Sequence, residues 1–167
     1  MTDIPLWRRP TRSGWRIEAD EARTRVDVID HAGRVHGSVA TAPVEQSGGL
    51  GPSLPGSERA PIALEPHDEQ AFVSDGKGHG HRRRKKTGHA LVHGRRYAFV
   101  HTGSSRADAM RDGTRIASFR RRRGTVSRDE HGVLDETDEL VLTVFEKLLK
   151  PGRPGAVSDF FDGLTSL

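Results

Sequence analysis

The residues of this chain best placed to do chemistry are cationic. His79-Gly80-His81-Arg82-Arg83-Arg84-Lys85-Lys86 and Arg120-Arg121-Arg122-Arg123 form two dense blocks of one sign, with Arg95 and Arg96 between them. Arginine outnumbers lysine 22 to 5, and the planar guanidinium fork suits paired contacts to phosphate oxygens. Each such contact releases counterions, so binding would weaken steeply with salt. The candidate anion-binding set is therefore Arg82, Arg83, Arg84, Lys85, Lys86, Arg95, Arg96, Arg120, Arg121, Arg122 and Arg123. Two plainer explanations compete. A charge run is usually a solvated loop, and an arginine bias also arises from composition alone. If residues 115–123 form a strand, successive arginines point to opposite faces, and at most half can line one surface.

Other chemistries are poorly served. His79, His81, His89, His93 and His101 crowd one region, and His89 and His93 have the i, i+4 spacing of a helical metal site. Glycines flank that pair, the segment reads as strand, and the Glu of a His-Glu-x-x-His site is missing. No metal or other cofactor is expected. Gly103-Ser104-Ser105 lacks the Gly-x-Ser-x-Gly elbow of a nucleophilic serine, and Gly76-x-Gly78-x-Gly80 is not followed by the helix a dinucleotide fingerprint needs. With no cysteine in the chain, thiolate zinc sites, disulfides and cysteine nucleophiles are excluded. A non-enzymatic protein is expected. Tyr97 and Phe99, at i and i+2, would face one side of a strand, where they serve either base stacking or a core.

The net charge of +4 conceals a segregation. Lys77 to Arg128 holds sixteen Lys/Arg against Asp108 and Asp112, a local charge of +14, which leaves −10 for the remainder. Such asymmetry points to an anionic partner: an anionic lipid surface, a nucleic acid or an acidic protein. The 167 residues suit one domain. The 33% hydrophobic content is low for a fully packed chain. The Met1–Pro10 stretch lacks a secretory h-region, so a cytoplasmic and at most membrane-peripheral protein is expected.

The elements that must position these residues read as mostly extended. Trp15, Ile17 and Ala19 alternate with polar residues. Arg25 to Ile29 and Arg34 to Val39 flank the turn residues Asp30-His31-Ala32-Gly33, a hairpin pattern. Ala90 to Thr102 splits at His93-Gly94-Arg95, and Ala107 to Phe119 splits at Asp112-Gly113. Residues 41–61 and 75–88, rich in Gly, Pro, Ser or like charges, read as flexible insertions, and residues 1–13 as a loose arm perched on Trp7. Near Asp135 the pattern changes. Asp135 or Thr137 can cap a helix with Glu136, Asp138 and Glu139 in its first turn. The helix carries Leu140, Val141, Leu142, Val144, Phe145, Leu148 and Leu149, and ends at Pro151-Gly152. It is expected over 137–150, apolar on most sides and therefore enclosed. A second short helix is expected over 158–167. The four acids are helix-start residues in this reading rather than an acid–base pair.

Val28 to Val39, Ala107 to Phe119 and Leu134 to Leu142 together resemble the tubby C-terminal-like proteins, in the compact form of LURP-one-related and phospholipid-scramblase-like sequences. That resemblance implies an antiparallel barrel wrapped around a hydrophobic C-terminal helix. It also implies an anion- or lipid-headgroup-binding module with no catalytic residues to carry over. The chain departs from the family in the 17 residues that follow the helix and in the 41–61 insertion. The expectation is a mainly β domain spanning 14–167, an antiparallel barrel or rolled sheet packed around one hydrophobic C-terminal helix. Its basic surface would engage a phospholipid headgroup or other phosphate-bearing ligand. A nucleic acid, or a purely structural or regulatory protein contact, are the alternatives.

Overall fold

The computed structural model describes residues 6–22, 24–40, 62–65, 72–74, 87–123, 125–149 and 151. The expected insertion 41–61, all of 75–88 except Thr87 and Gly88, and the expected helix 158–167 lie outside the described residues. So do the arm's first five residues.

Ten strands follow one another as β1 (Arg16–Ala19), β2 (Arg25–Ile29), β3 (Val35–Ala40), β4 (Ile62–Glu65), β5 (Phe72–Ser74), β6 (Thr87–Val92), β7 (Arg95–His101), β8 (Arg106–Arg111), β9 (Thr114–Arg122) and β10 (Thr125–Glu130). Each pairs antiparallel with the next. The ladder is thinnest on either side of β4, where two residue pairs join it to β3 and two to β5. Among the described residues β1 and β10 form no ladder with each other, so the sheet is not closed into a hydrogen-bonded barrel. The expectation of a mainly antiparallel β fold with one C-terminal helix holds at that coarser level.

Local chemistry explains the tight turns. Between β6 and β7, His93 and Gly94 take φ of 51° and 73°; between β8 and β9, Asp112 and Gly113 take 48° and 83°. Two consecutive positive φ values are the hairpin geometry whose twist matches the flanking strands, and glycine adopts its share without steric cost. A register shift between Ala109 and Met110 against β9 leaves Ile116 as the extra residue, and its side chain is still buried.

The helix α1 (Glu136–Val144) is followed directly by a π-helical turn, Phe145–Leu149. Every residue from Leu140 to Glu146 is buried, which covers all sides of the helical cylinder. Among the described residues, strands supply most of the surface that buries it. Ile17, Val26, Val28, Val39, Leu64, Val73, Val92, Phe99, Ala107 and Phe119, drawn from β1 to β9, join Leu142, Val144 and Phe145 in one core. Phe99 lies at its centre, 5.0 Å from the Phe145 ring and 5.5 Å from Phe119, the latter edge-on, which aromatic pairs favour. Tyr97 and Phe99, 2% and 0% exposed, are thus core residues rather than stacking surfaces. The described part of the N-terminal arm is tied to this body. Trp7 packs on the core, and Thr11 is buried with its N–H donating to the Trp15 carbonyl.

The helix start is locked by Asp138. Asp135 caps the helix, accepting from the Asp138 N–H, while the Asp138 carboxylate accepts from the Asp135 N–H, a reciprocal capping box. The same carboxylate, fully buried, accepts from the Tyr97 hydroxyl of β7 at 2.8 Å and from Arg111 of β8. One side chain thereby joins the helix cap to two strands. Asp138→Ala is expected to cost roughly 3 kcal/mol, the lower end for a broken buried ion pair because Arg111 keeps some access to water. Tyr97→Phe should cost only about 1 kcal/mol, a single hydrogen bond. Urea denaturation midpoints of the two variants and the parent check the ranking.

Candidate functional site

An up-and-down meander sorts its turns onto two rims. The upper rim holds the Asp30–Gly33, His93–Gly94 and Asp112–Gly113 turns and the start of α1. The lower rim holds the ends of β1, β3, β5, β7 and β9, the starts of β2, β4, β6, β8 and β10, and the end of the π-helical turn. The two rims differ in how their charges are neutralised.

On and near the upper rim, arginines are paired. Arg34 Nε meets Asp30 at 2.8 Å and its Nη2 meets Glu136 at 3.4 Å. Arg95 meets Asp135 at 2.6 Å, and Arg111 meets Asp138. Arg128 of β10, 1% exposed in its side chain, reaches Glu139 at 2.9 Å and Glu130 at 2.9 Å. Ser13 bridges this group, donating to Glu139 at 2.8 Å and accepting from Arg128 at 2.9 Å. The acids at the helix start are therefore structural partners, as their place in the first turn suggested. Glu146, buried seven residues beyond Glu139, has its carboxyl pushed up by burial against the pull of Lys147 and Arg128.

Asp30 is the most heavily solvated carboxylate, with protein groups as its solvent. It accepts from the Ala32 and Arg34 N–H groups, from Arg34 Nε, and pairs with His36 Nε2 at 2.9 Å. His36 in turn lies against Trp15, ring centroids 4.5 Å apart. His36 and the other donors outweigh desolvation and hold the Asp30 carboxyl well below the usual range.

The lower rim carries acids at the β1–β2 turn, where Asp20 accepts from the Thr24 and Arg25 N–H groups and Arg25 pairs with Asp27, but its β8 and β9 arginines stand without them. Arg106 of β8 and Arg120 of β9 are directly opposite in register. Both point outward, because their neighbours Ala107 and Phe119 are buried. Arg122 lies two residues further on the same face, and Arg123 occupies the β9–β10 turn with φ of 49°. That conformation costs a residue with a Cβ about 1 kcal/mol or more. All four are exposed, and among the described residues none of the four side chains makes an ion pair or hydrogen bond. Like charges directly opposite across a ladder are destabilising, so the Arg106–Arg120 pair has no fold-stabilising purpose. Arg121 turns the other way and is half-buried, its N–H donating to the Ser105 carbonyl, as strand alternation requires.

The structure thus divides the candidate set. Arg120, Arg122 and Arg123 stand together on the lower rim, joined by Arg106, which the sequence reading did not single out. Arg121 faces inward. Arg95 is engaged with Asp135, and the exposed Arg96 sits beside it at the start of β7, on the opposite rim. Arg82 to Lys86 lie outside the described residues; the next residue, Thr87, begins β6 on the lower rim. The signal that could have found Arg106 is register: once Asp112-Gly113 is taken as a two-residue turn, counting back pairs it near Arg120.

Other constellations do not assemble into sites. His89 is exposed on β6, His93 bonds Thr137 at 3.0 Å, and His101 lies edge-on to Phe99. Among the described residues no three His, Asp or Glu side chains could hold a metal ion. Ser118 meets both Asp108, at 2.8 Å, and His131 Nε2, at 3.1 Å. These are the residue types of a hydrolase triad in the wrong order. The hydroxyl gives its proton to the carboxylate, and among the described residues no carboxylate is hydrogen-bonded to the His131 imidazole to orient it as a base toward serine. No helix among the described residues is long and apolar enough to cross a membrane. No family model, no curated protein and no solved structure matches this chain.

Asp30 yields a pH dependence whose sign is fixed. Its folded pKa is depressed, so its stabilisation is present above the unfolded value of about 3.9 and is lost as pH falls through the folded value. Asp30→Asn should therefore melt well below the parent at neutral pH. The gap should narrow steadily as pH falls below about 4. Thermal melts of both proteins across that range test it; a gap independent of pH would contradict the role given to this carboxylate.

Proposed function

We propose that this protein is a non-enzymatic binding module that engages a phosphate-bearing anionic partner through the arginines of its lower rim. In this reading the sheet acts as an incompletely closed barrel whose helix is a structural plug. The observation that carries the reading is the Arg106–Arg120 pair: two outward, unpaired guanidiniums held side by side, with Arg122 and Arg123 adjoining. Elsewhere on the described surface, arginines facing an acid within reach have been given one, as at Arg16–Glu18, Arg25–Asp27 and Arg115–Asp108. An anion between Arg106 and Arg120 relieves their repulsion and supplies the acceptor the protein withholds. The strained Arg123 turn fits the same logic, since strain of this kind persists where the residue's side chain is used. Thr87, the residue that follows the run Arg82 to Lys86 in sequence, begins β6 on the same rim.

Retention on immobilised inorganic polyphosphate separates this reading from a general effect of positive charge. The parent should be held at about 50 mM salt and released by about 200 mM. Arg106→Gln with Arg120→Gln should elute clearly earlier. Arg16→Gln with Arg25→Gln removes the same charge from ion-paired positions and should elute with the parent. Equal behaviour of the two double variants, or a parent that is not retained at low salt, would refute a localised phosphate site.

A further inference from the structure

The geometry points to a duplex nucleic acid as the partner, gripped by its backbone phosphates along the outer face of β8 and β9 without base readout; this rests on the phosphate-binding reading above. Three features favour it. The first is curvature. Arg106, Arg120 and Arg122 project from the outside of a sheet that encloses α1, so the face is convex and the side chains diverge. Diverging cations cannot converge on one enclosed headgroup, whereas they match charges spread along a polymer. Their spacing, roughly 5 Å across the ladder and roughly 7 Å along β9, spreads the charge over an extended row rather than gathering it at one point. Opposite Arg122 and Arg120, the exposed hydroxyls of Thr125 and Ser127 donate to the carbonyls of those two residues, so the guanidiniums carry the contacts to phosphate. Asp108 and Asp129 lie one row toward the upper rim on the same face and bound the patch on that side.

The second feature is the placement of apolar surface. The exposed large hydrophobic residues among those described are Val35 and Val133, both on the upper rim. A lower rim that met a bilayer would carry such residues to bury between lipids, and its described part has none. The third feature is the placement of aromatics. Trp15, Tyr97, Phe99, Phe119 and Phe145 are all buried, leaving the patch no described ring on which an unpaired base could stack. Recognition through phosphates alone suits the regular backbone of a duplex.

The test uses the full chain and two duplex DNAs of unrelated sequence, read by fluorescence anisotropy between about 50 and about 200 mM salt. The parent should bind both equally. The variant Arg106→Gln/Arg120→Gln/Arg122→Gln should lose about 2.7 from the salt slope. Over that range the parent should then weaken about 40-fold more than the variant. The corresponding triple lysine variant should keep the parent's slope, which separates loss of charge from loss of fold. An unchanged slope in the glutamine variant overturns the assignment. Retention on polyphosphate with no duplex binding overturns it while leaving the phosphate reading intact. Sedimentation with phosphatidylserine vesicles in place of duplex binding overturns it in favour of a membrane. Failure to bind polyphosphate, vesicles and duplex alike removes both readings together.

Discussion

The structure depends on enclosing one helix inside a strand meander, and on a single buried carboxylate that makes the enclosure specific. Burial of Leu140 to Glu146 on every side provides the hydrophobic driving force, but apolar contact is indifferent to rotation or sliding. Asp138 removes that freedom. It completes the capping box with Asp135 and takes hydrogen bonds from Tyr97 and Arg111, so the helix start is indexed to β7 and β8. Any other register leaves a desolvated carboxylate without partners, at a cost of several kcal/mol. Phe99, stacked among Phe119 and Phe145, then marks the depth to which the helix is inserted.

A second consequence is the unjoined edge between β1 and β10. The helix face that looks toward β10 is polar: Glu139 is met by Arg128 and Ser13, Thr143 donates to the Glu139 carbonyl, and Glu146 pairs with Lys147. Among the described residues, Arg128 Nε and Nη1 and one Glu146 oxygen are buried without a hydrogen-bond partner. The sheet is thus tight where aromatic residues face the helix and polar where its two edge strands approach.

Charge follows the same division. Acids of the helix start draw Arg34, Arg95, Arg111 and Arg128 into pairs at or beneath the upper rim. The helix runs away from that rim, so the acids of its first turn stand at the opposite end from the β8 and β9 arginines below. The arginines of β8 and β9 at the lower rim remain in solvent. The polarity of the molecule is therefore a product of helix direction as much as of composition.

Much of the fold was legible in the amino-acid order. The hairpins β2–β3, β6–β7 and β8–β9 follow from alternation of apolar residues around His93-Gly94, Asp112-Gly113 and the Asp30 turn, because side-chain period and turn preference are local properties. The enclosed helix follows from its nearly complete apolar circumference; local hydrogen-bond chemistry narrowed its cap to Asp135 or Thr137, and the folded structure chose Asp135. β10 was not legible: Thr125 to Glu130 has one aliphatic residue, Val126, and its inward Arg128 faces a polar helix side, so no hydrophobic rhythm announces it. Nor was the division of the arginines. Arg95 and Arg120 look alike along the chain, yet one sits over Asp135 and the other opposite Arg106. That difference is set by register and by which rim the helix enters, both of which arise from contacts between residues distant in the chain. Composition alone could say that arginine abounds; only the folded arrangement decided which arginines are already satisfied and which still face outward unpaired.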